Sequence, residues 1–373
     1  NSRYSITLTI AKFMTEIIII LAACFLAFSN GANDNFKGVS TLFGSGTTNF
    51  KSALNWGTIT TLAGCIFAVF IAQGLMKNFS GKGLIPDEAL KDPSLAIAVA
   101  LGAASTVFLA TKIGIPISTT HAIVGALVGA GFVSVGNALN LNQLGEVFLK
   151  PLLLSPFIAC ASAIILYIIF RQLRLLLKID KQTHLVVDAP SADSNNIMAP
   201  GISLSNNYRE SYNGKIIGFS AQKILDGLHY ISAGAVGFAR GMNDAPKIAG
   251  LLLLVNFLSV PWMLIMIAVI MAVGGLLNSK KVAQTMSKKI TYMNPGQGFT
   301  SNLITAILVW TASASGLPVS TTHVSVGGIF GIGVVNKKAD YKMIGKIAGS
   351  WVLTLPIAAI LSGIIFFITS NII

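Results

Sequence analysis

The chain has 373 residues, of which 53% are hydrophobic and only 10% carry a charge. Soluble domains carry about 25% charged residues, so this composition excludes an ordinary soluble protein and indicates a membrane protein. The net charge of +13 does not indicate a nucleic-acid partner, because the Lys and Arg residues stand between apolar runs and form no basic stripe beside aromatic side chains.

Apolar segments follow one another along the chain, with one long polar interruption at 171–223 that lacks apolar periodicity and is typical of a flexible linker. From the lengths of these segments we predict an all-α polytopic membrane protein with about 10–12 transmembrane or re-entrant helices. The apolar segments lie near 13–30, 56–76, 94–112, 114–134, 150–170, 224–239, 248–277, 300–315, 317–335 and 345–370.

Two motifs occur once in each half, in the same order and at similar spacing. Residues 28–37 match residues 238–247, with Phe, Gly, Asn, Asp and Lys in register. Residues 114–121 match residues 316–323, and both copies contain Pro-x-Ser-Thr-Thr-His. The chain is therefore predicted to be a duplication.

The distribution of basic residues predicts the orientation in the membrane. If the N-terminus lies outside, the outside loops hold only Lys77, Lys82, Lys91 and Lys150, and the other loops hold most of the Lys and Arg. This arrangement satisfies the positive-inside rule, and the opposite one violates it. The loops predicted to lie inside are 31–55, 171–223, 278–299 and 336–346.

With this orientation the first half crosses the membrane an odd number of times, so the second half starts on the other side and is inverted. We predict an N-terminal transmembrane repeat over 1–179, a polar cytoplasmic linker over 180–215 and an inverted transmembrane repeat over 216–373. Inverted repeats of this kind place discontinuous helices, and the binding site they form, near the membrane midplane.

The first motif places a carboxylate beside glycine at the end of an apolar run, as Asp34 and Asp244. An intramembrane carboxylate is costly unless it is paired or lines water, and glycine allows the helix to break there and expose carbonyl groups. Carboxylate, amide and carbonyl oxygens are hard ligands that suit Na⁺ or a proton. The alternative is a carboxylate that only caps a helix at the interface. The predicted cation ligands are Asn33, Asp34, Asn243 and Asp244, supported by Gly31 and Gly241.

The second motif interrupts each apolar run with Gly and Pro, and Pro suits the first turn of a new helix. The hydroxyl groups then fall at a helix start, where free N–H groups and the positive end of the dipole favour an anion. The alternative is ordinary Ser and Thr packing between membrane helices. The predicted anion ligands are Ser118, Thr119, Thr120, Ser320, Thr321 and Thr322.

His121 and His323 follow the two triplets. They could bind substrate, relay protons or brace the site through a hydrogen bond to a neighbouring helix, and bracing is the favoured interpretation. A zinc site is not indicated, because the other histidines, His184 and His229, are not spaced for shared coordination.

Lys37 and Lys247 each follow an aspartate by three residues, a spacing that places both side chains on one helix face. They could neutralise the aspartate, contact the anion or extend to lipid headgroups, and the last is the default for a lysine near a helix end.

Together, the paired Gly-x-Asn-Asp and Pro-x-Ser-Thr-Thr-His motifs resemble those of the inorganic phosphate transporter (PiT) family, across both halves but not the 180–215 linker. The resemblance implies a multi-pass protein of the cell's inner (plasma) membrane and a homodimer, with phosphate and Na⁺ or H⁺ bound between the halves. It assigns cations to the Asn-Asp pairs and phosphate to the Ser-Thr-Thr triplets. The chain departs from many members at Lys37 and Lys247, where they have a small or amide residue, and some relatives transport sulfate.

Phosphate brings one or two negative charges, and it cannot lie beside two bare carboxylates in a site of low dielectric constant. Cations must therefore enter with it. We predict a secondary transporter that imports phosphate coupled to Na⁺ by alternating access. These ions are its cargo, and no cofactor is needed.

The alternatives within this fold are a sulfate permease and a proton-coupled symporter of phosphate or a metal–phosphate complex. A receptor or channel is a different class, but a channel needs a continuous pore that two inverted half-sites do not supply. We predict no enzymatic activity, because Ser118 and His121 stand outside any Gly-x-Ser-x-Gly elbow.

Overall fold

The computed structural model describes residues 2–71, 73–185, 208–255 and 257–372. Helices make up most of this part of the chain. The helices of the first half are α1 (Ser2–Asp34), α2 (Ser40–Gly44), α3 (Phe50–Phe67), α4 (Gln73–Phe79), α5 (Pro93–Ile113), α6 (Thr119–Val135), α7 (Leu141–Gln143) and α8 (Lys150–Leu176). Those of the second half are α9 (Ala221–Ala249), α10 (Val260–Asn278), α11 (Lys280–Gln284), α12 (Pro295–Ala314), α13 (Thr321–Val335) and α14 (Tyr341–Thr369).

Within the described residues, seven helical segments are long and apolar enough to cross a membrane. Helix α9, with 29 residues, is also long enough to cross a membrane but carries charged side chains. Helix α13 is apolar but shorter than these seven segments. The structure confirms the predicted helical, polytopic membrane architecture, and the four short strands that it describes lie within the polar segment at 171–223. The seven segments are Ile10–Asp34, Phe50–Phe70, Pro93–Ile113, Thr119–Ala138, Leu141–Leu176, Val260–Asn278 and Tyr341–Thr369.

The helix contacts between the two halves are reciprocal. Helix α1 packs against α5 and α10, and its counterpart α9 packs against α12 and α3. Likewise α6 packs against α14, and α13 packs against α8. Two repeats related by a pseudo-two-fold axis produce this exchange of partners. The packing agrees with the predicted duplication, whereas the opposite orientation of the halves stays a prediction.

The glycines of the first motif serve close helix packing. A Cβ atom on Gly31 of α1 would overlap the carbonyl oxygen of Met271 on α10, and one on Gly241 of α9 would overlap that of Thr61 on α3. The prediction that the helix breaks at this motif is wrong for the second copy, where α9 runs without interruption to Ala249. In the first copy α1 ends at Asp34, three residues after Gly31.

The second motif does interrupt the chain between two helices. Gly114 ends α5 in the left-handed conformation, with φ of 77°, and Ser118 caps α6 by accepting a 3.1 Å hydrogen bond from the backbone N–H of His121. Pro116 lies in the extended segment between them. The predicted position of Pro in the first helical turn is therefore wrong, because the serine takes the capping position two residues later.

The second copy repeats this break closely. Gly316 has φ of 67° after α12, and Ser320 caps α13 by accepting a 3.2 Å hydrogen bond from the N–H of His323. Pro318 again lies in the extended segment. Both copies thus have the discontinuous helices that the sequence predicted.

The long apolar run at 248–277 contains the end of one helix and nearly all of another. Helix α9 ends at Ala249, and α10 begins at Val260 with Pro261 in its first turn, where proline needs no backbone N–H.

The predicted flexible linker is ordered at both ends. Helix α8 extends to Leu176, and strands β1 (Asp180–Leu185) and β2 (Tyr208–Asn213) pair antiparallel before the short strands β3 (Lys215–Ile216) and β4 (Phe219–Ser220). The flexibility predicted for all of 171–223 is therefore wrong for these ends, and 186–207 lie outside the described residues.

Polar side-chain contacts fix the paired strands β1 and β2 against the rest of the protein. Such contacts leave no apolar periodicity in the sequence. Glu210 on β2 accepts a 2.6 Å hydrogen bond from Asn294 and pairs with Lys181 and Lys338.

Candidate functional site

The carboxylates of the two copies lie at one place inside the protein. The side-chain amide of Asn30 donates hydrogen bonds to both, 3.4 Å to Asp34 Oδ2 and 3.3 Å to Asp244 Oδ2. All three side chains are buried. The structure therefore brings the duplicated aspartates together, as a site shared between two repeats requires.

Lys37 connects Asp34 with the second half. Its ammonium group donates to the Asp34 carboxylate, to the carbonyl oxygen of Ile117 at 2.8 Å and to the hydroxyl of Thr322. The Thr322 hydroxyl in turn donates to the same Ile117 carbonyl at 2.9 Å. One lysine thus links its own aspartate, the break before α6 and the start of α13.

Lys247 makes the reciprocal connection. Its ammonium group lies 3.4 Å from Asp244 Oδ1 and donates to the Val319 carbonyl at 2.8 Å and to the Thr120 hydroxyl at 2.7 Å. Thr120 donates to the Val319 carbonyl at 3.2 Å. Because Lys37 and Lys247 are each only 1% exposed, the default interpretation that they extend to lipid headgroups is wrong.

The motif asparagines bind the helix break of their own half. Asn33 donates to the Thr111 hydroxyl at 2.9 Å and the Ile115 carbonyl at 3.1 Å, and its oxygen accepts from the Ile117 N–H at 3.2 Å. These bonds fix the ends of α5 and α6 against α1.

Asn243 follows the same pattern in the second copy. Its oxygen accepts a 3.2 Å hydrogen bond from the Ser313 hydroxyl, and its amide donates to the Val319 carbonyl at 3.1 Å and to Asp244 at 3.0 Å. The Na⁺ role predicted for the asparagines and aspartates stays a prediction.

The Ser-Thr-Thr triplets of both halves stand at the same cluster. The serines cap the helices, and Thr120 and Thr322 accept from the lysines. Thr119 accepts a 3.0 Å hydrogen bond from Asn30 and donates to Asp34 at 3.4 Å. Thr321 is buried at the start of α13. The positive ends of α6 and α13 therefore meet beside the aspartates and lysines, a place that favours an anion.

His121 and His323 pack against each other behind the triplets, with ring centroids 4.4 Å apart. Nδ1 of His323 lies 3.0 Å from the carbonyl oxygen of Leu152 on α8, and its ring packs on Trp351 of α14. These contacts agree with the bracing interpretation for His323.

Arg240, which is not among the predicted site residues, is 1% exposed at the centre of the cluster. Its Nε lies 3.4 Å from Asp244 Oδ2, and its other nitrogens donate to Asn30 at 2.7 Å, Asn35 at 3.3 Å and Thr61 at 3.2 Å. An arginine within an apolar run is a signal for a functional site. Alignment of the two motif copies would also have shown that Arg240 replaces Asn30.

Among the residues that the structure describes, this cluster contains three cationic side chains and two carboxylates. Lys37, Lys247 and Arg240 together exceed Asp34 and Asp244 by one positive charge. The carboxylates are therefore not bare, contrary to the assumption that two bare carboxylates face the anion. A buried excess of positive charge attracts an anion.

The sequence is similar to those of known phosphate transporters. The "Phosphate transporter family" profile matches residues 30–362. A "Probable low-affinity inorganic phosphate transporter" of Rhizobium meliloti is 27% identical, covering 94% of this chain and 95% of the relative. A protein of the same description from Bacillus subtilis is also 27% identical, with 95% and 97% covered.

A solved structure, "The sodium-dependent phosphate transporter", has the same fold. It superposes with a TM-score of 0.77 at 22% identity and covers 96% of this chain and 100% of its own. The profile match spans most of the chain, both motif pairs included. This chain belongs to the phosphate transporter family, and is a membrane transport protein and not an enzyme.

Proposed function

We propose that this chain is a secondary transporter that imports inorganic phosphate together with a coupling cation by alternating access. The observation that carries the proposal is the reciprocal contact between the halves, in which each lysine pairs with its own aspartate and binds the other half's threonine. A site completed by both halves can change its exposure when one half moves against the other.

The phosphate would lie between the N-terminal ends of α6 and α13. Ser118, Thr119 and Thr120 of one half and their counterparts in the other supply hydroxyl groups, and the helix ends supply N–H groups. The excess positive charge of the cluster supports a monovalent phosphate anion. His121 and His323 would hold the helix starts in position.

The coupling cation predicted from the sequence is Na⁺, with Asn33, Asp34, Asn243 and Asp244 as its ligands. A proton is the alternative. The support is a carboxylate, a carbonyl and a hydroxyl oxygen in each half, a set that suits a monovalent cation, although a lysine ammonium group contacts all three.

We also propose a homodimer in the inner (plasma) membrane, with the N-terminus outside and the linker cytoplasmic between repeats 1–179 and 216–373. The orientation is supported by the concentration of Lys and Arg in the loops that it places inside. A single cysteine placed at Lys91, on the outside in this proposal, should react with an impermeant thiol reagent in intact cells. Labelling only after the cells are opened would contradict it.

The test of the transport function is uptake into vesicles that contain the purified protein, with labelled phosphate or sulfate and an imposed Na⁺ or pH gradient. We expect phosphate, but not sulfate, to accumulate above its external concentration under at least one gradient. Phosphate uptake no greater than in protein-free vesicles under both gradients would refute the function.

A further inference from the structure

The hydrogen bonds of Lys37 suit an ammonium group. Its three acceptors are the Asp34 carboxylate, the Ile117 carbonyl and the Thr322 hydroxyl, whose own proton is donated to Ile117. A neutral amine has two N–H bonds and cannot supply three donors, whereas an ammonium group has three. The three acceptors therefore match the three N–H bonds of a lysine in its cationic form.

Lys247 has the equivalent acceptors: the Asp244 carboxylate, the Val319 carbonyl and the Thr120 hydroxyl, whose proton is donated to Val319. Carboxylate, carbonyl and hydroxyl oxygens are also the ligands that a hard cation prefers. In both halves, then, a tethered ammonium group lies where a free cation would neutralise the aspartate.

We propose that Lys37 and Lys247 are built-in cations that take the place of bound sodium at Asp34 and Asp244, so that phosphate transport by this chain does not require Na⁺. The inference rests on the proposed phosphate transport and specifies its ion requirement.

Electrostatics supports this exclusion of sodium. Two unit charges 4 Å apart repel by about 4 kcal/mol at an effective dielectric constant of 20. A sodium ion that shared oxygens with the ammonium groups of Lys37 or Lys247 would meet this repulsion, and displacing the lysine would break a buried ion pair.

The net charge of the whole cluster also argues against bound sodium. With one positive charge in excess, the cluster becomes neutral when a monovalent phosphate anion binds. Two additional sodium ions would leave two positive charges uncompensated in a buried site, which is unfavourable.

The competing explanation is that the lysines are structural ion pairs in a transporter that still needs sodium. Counterflow separates the two, because exchange of labelled for unlabelled phosphate needs no ion gradient. Vesicles that contain the protein are loaded with unlabelled phosphate and diluted into labelled phosphate in either sodium chloride or choline chloride. The variants are Lys37→Asn and Lys247→Asn, and the matched control is Lys91→Asn at an exposed loop lysine.

We expect equal counterflow in both salts for the wild type and for Lys91→Asn. Each buried-lysine variant should lose about tenfold or more in choline, as expected for a broken buried ion pair, and should regain activity in sodium. Wild-type counterflow that occurs only in sodium overturns the inference. Variants that keep full counterflow in choline overturn it as well.

If a variant is inactive in both salts, thermal unfolding of the purified protein tests the inference instead. Sodium should stabilise Lys37→Asn and Lys247→Asn but not the wild type. If sodium stabilises the wild type as much as the variants, or stabilises neither, the inference is wrong. An absence of wild-type counterflow in both salts would refute the transport function instead, and the unfolding data would still decide whether the lysines replace sodium.

Discussion

The ammonium group of Lys247 on α9 donates a 2.7 Å hydrogen bond to the hydroxyl of Thr120 on α6, in the other half of the duplication. Lys37 contacts Thr322 in the reciprocal way. Neither half therefore contains a complete site, since each carboxylate–lysine pair lies against a helix start of the other half. In the proposed function, this interdependence gives the duplication its role in binding.

The crossed contacts predict equal effects in the two halves. Replacement of Thr120 or Thr322 by Val keeps the volume but removes the hydroxyl that accepts from the other half's lysine. Because the lysine then loses a partner that positions it, each change should weaken phosphate binding, by about 1–3 kcal/mol for one lost buried hydrogen bond. Thr311→Val is the matched control, because that exposed hydroxyl bonds only within its own helix. Affinity for labelled phosphate is the measurement, and an effect confined to one half would contradict a shared site.

Asp34→Asn should abolish phosphate transport and lower stability by about 3–5 kcal/mol, because it leaves the buried Lys37 without its counter-ion. Adding Lys37→Gln removes the unpaired charge, so the double variant should regain thermal stability without regaining transport. Thermal unfolding in detergent and counterflow measure the two effects separately. Asp87→Asn, at an exposed carboxylate, is the control, and transport by Asp34→Asn equal to that of this control would remove the proposed role of Asp34.

Gly31→Ala and Gly241→Ala should each destabilise the protein by about 1–3 kcal/mol through overpacking, because the added methyl group overlaps the backbone of α10 or α3. Gly227→Ala lies in the same helix as Gly241, and among the described residues no atom beyond its chain neighbours and the adjacent backbone of its own helix lies within 4 Å of the added methyl group. This change should be neutral or stabilise by up to about 1 kcal/mol. The measurement is the unfolding temperature. Similar values for Gly241→Ala and Gly227→Ala would argue against close packing of α9 on α3.

The hairpin of β1 and β2 should loosen in acid. Burial acts to raise the pKa of Glu210, but the hydrogen bond from Asn294 and the ion pairs with Lys181 and Lys338 outweigh it, and the pKa lies below its ordinary value. A carboxyl whose folded pKa is lowered stabilises the protein above the ordinary carboxyl range, and this stabilisation is lost as the pH falls through the lowered pKa.

Glu210→Gln should therefore lower stability by about 1.5–3 kcal/mol near neutral pH, and the difference from the wild type should shrink in acid. Unfolding temperatures measured across a pH series give this difference. Glu146→Gln removes the exposed ion pair with Lys150 and should change stability by about 1 kcal/mol or less. A Glu210→Gln effect that does not vary with pH would show that its charge is not responsible.

Local chemistry made parts of this structure predictable. A Gly, a Pro and a Ser-Thr-Thr triplet in succession specify a helix end, an extended break and a capped helix start, and the predicted discontinuity is present in both halves. Serine capping could be predicted because Ser118 and Ser320 need only the N–H group three residues ahead.

Features that depend on tertiary contact could not be predicted in the same way. Glycine in an apolar helix is compatible with a break or with close packing, and only the position of Met271 or Thr61 decides between them. The partners of Lys37 and Lys247 lie in the opposite half, so residue spacing along one helix could not identify them. The hairpin around Glu210 is held by polar contacts distant in sequence and has no periodic signal.

A high-resolution cryo-EM structure with bound phosphate would show whether both halves bind the anion. We expect phosphate density between the starts of α6 and α13, within hydrogen-bonding distance of at least one hydroxyl from each Ser-Thr-Thr triplet. Phosphate that binds in contact with only one triplet, or away from both, would contradict it.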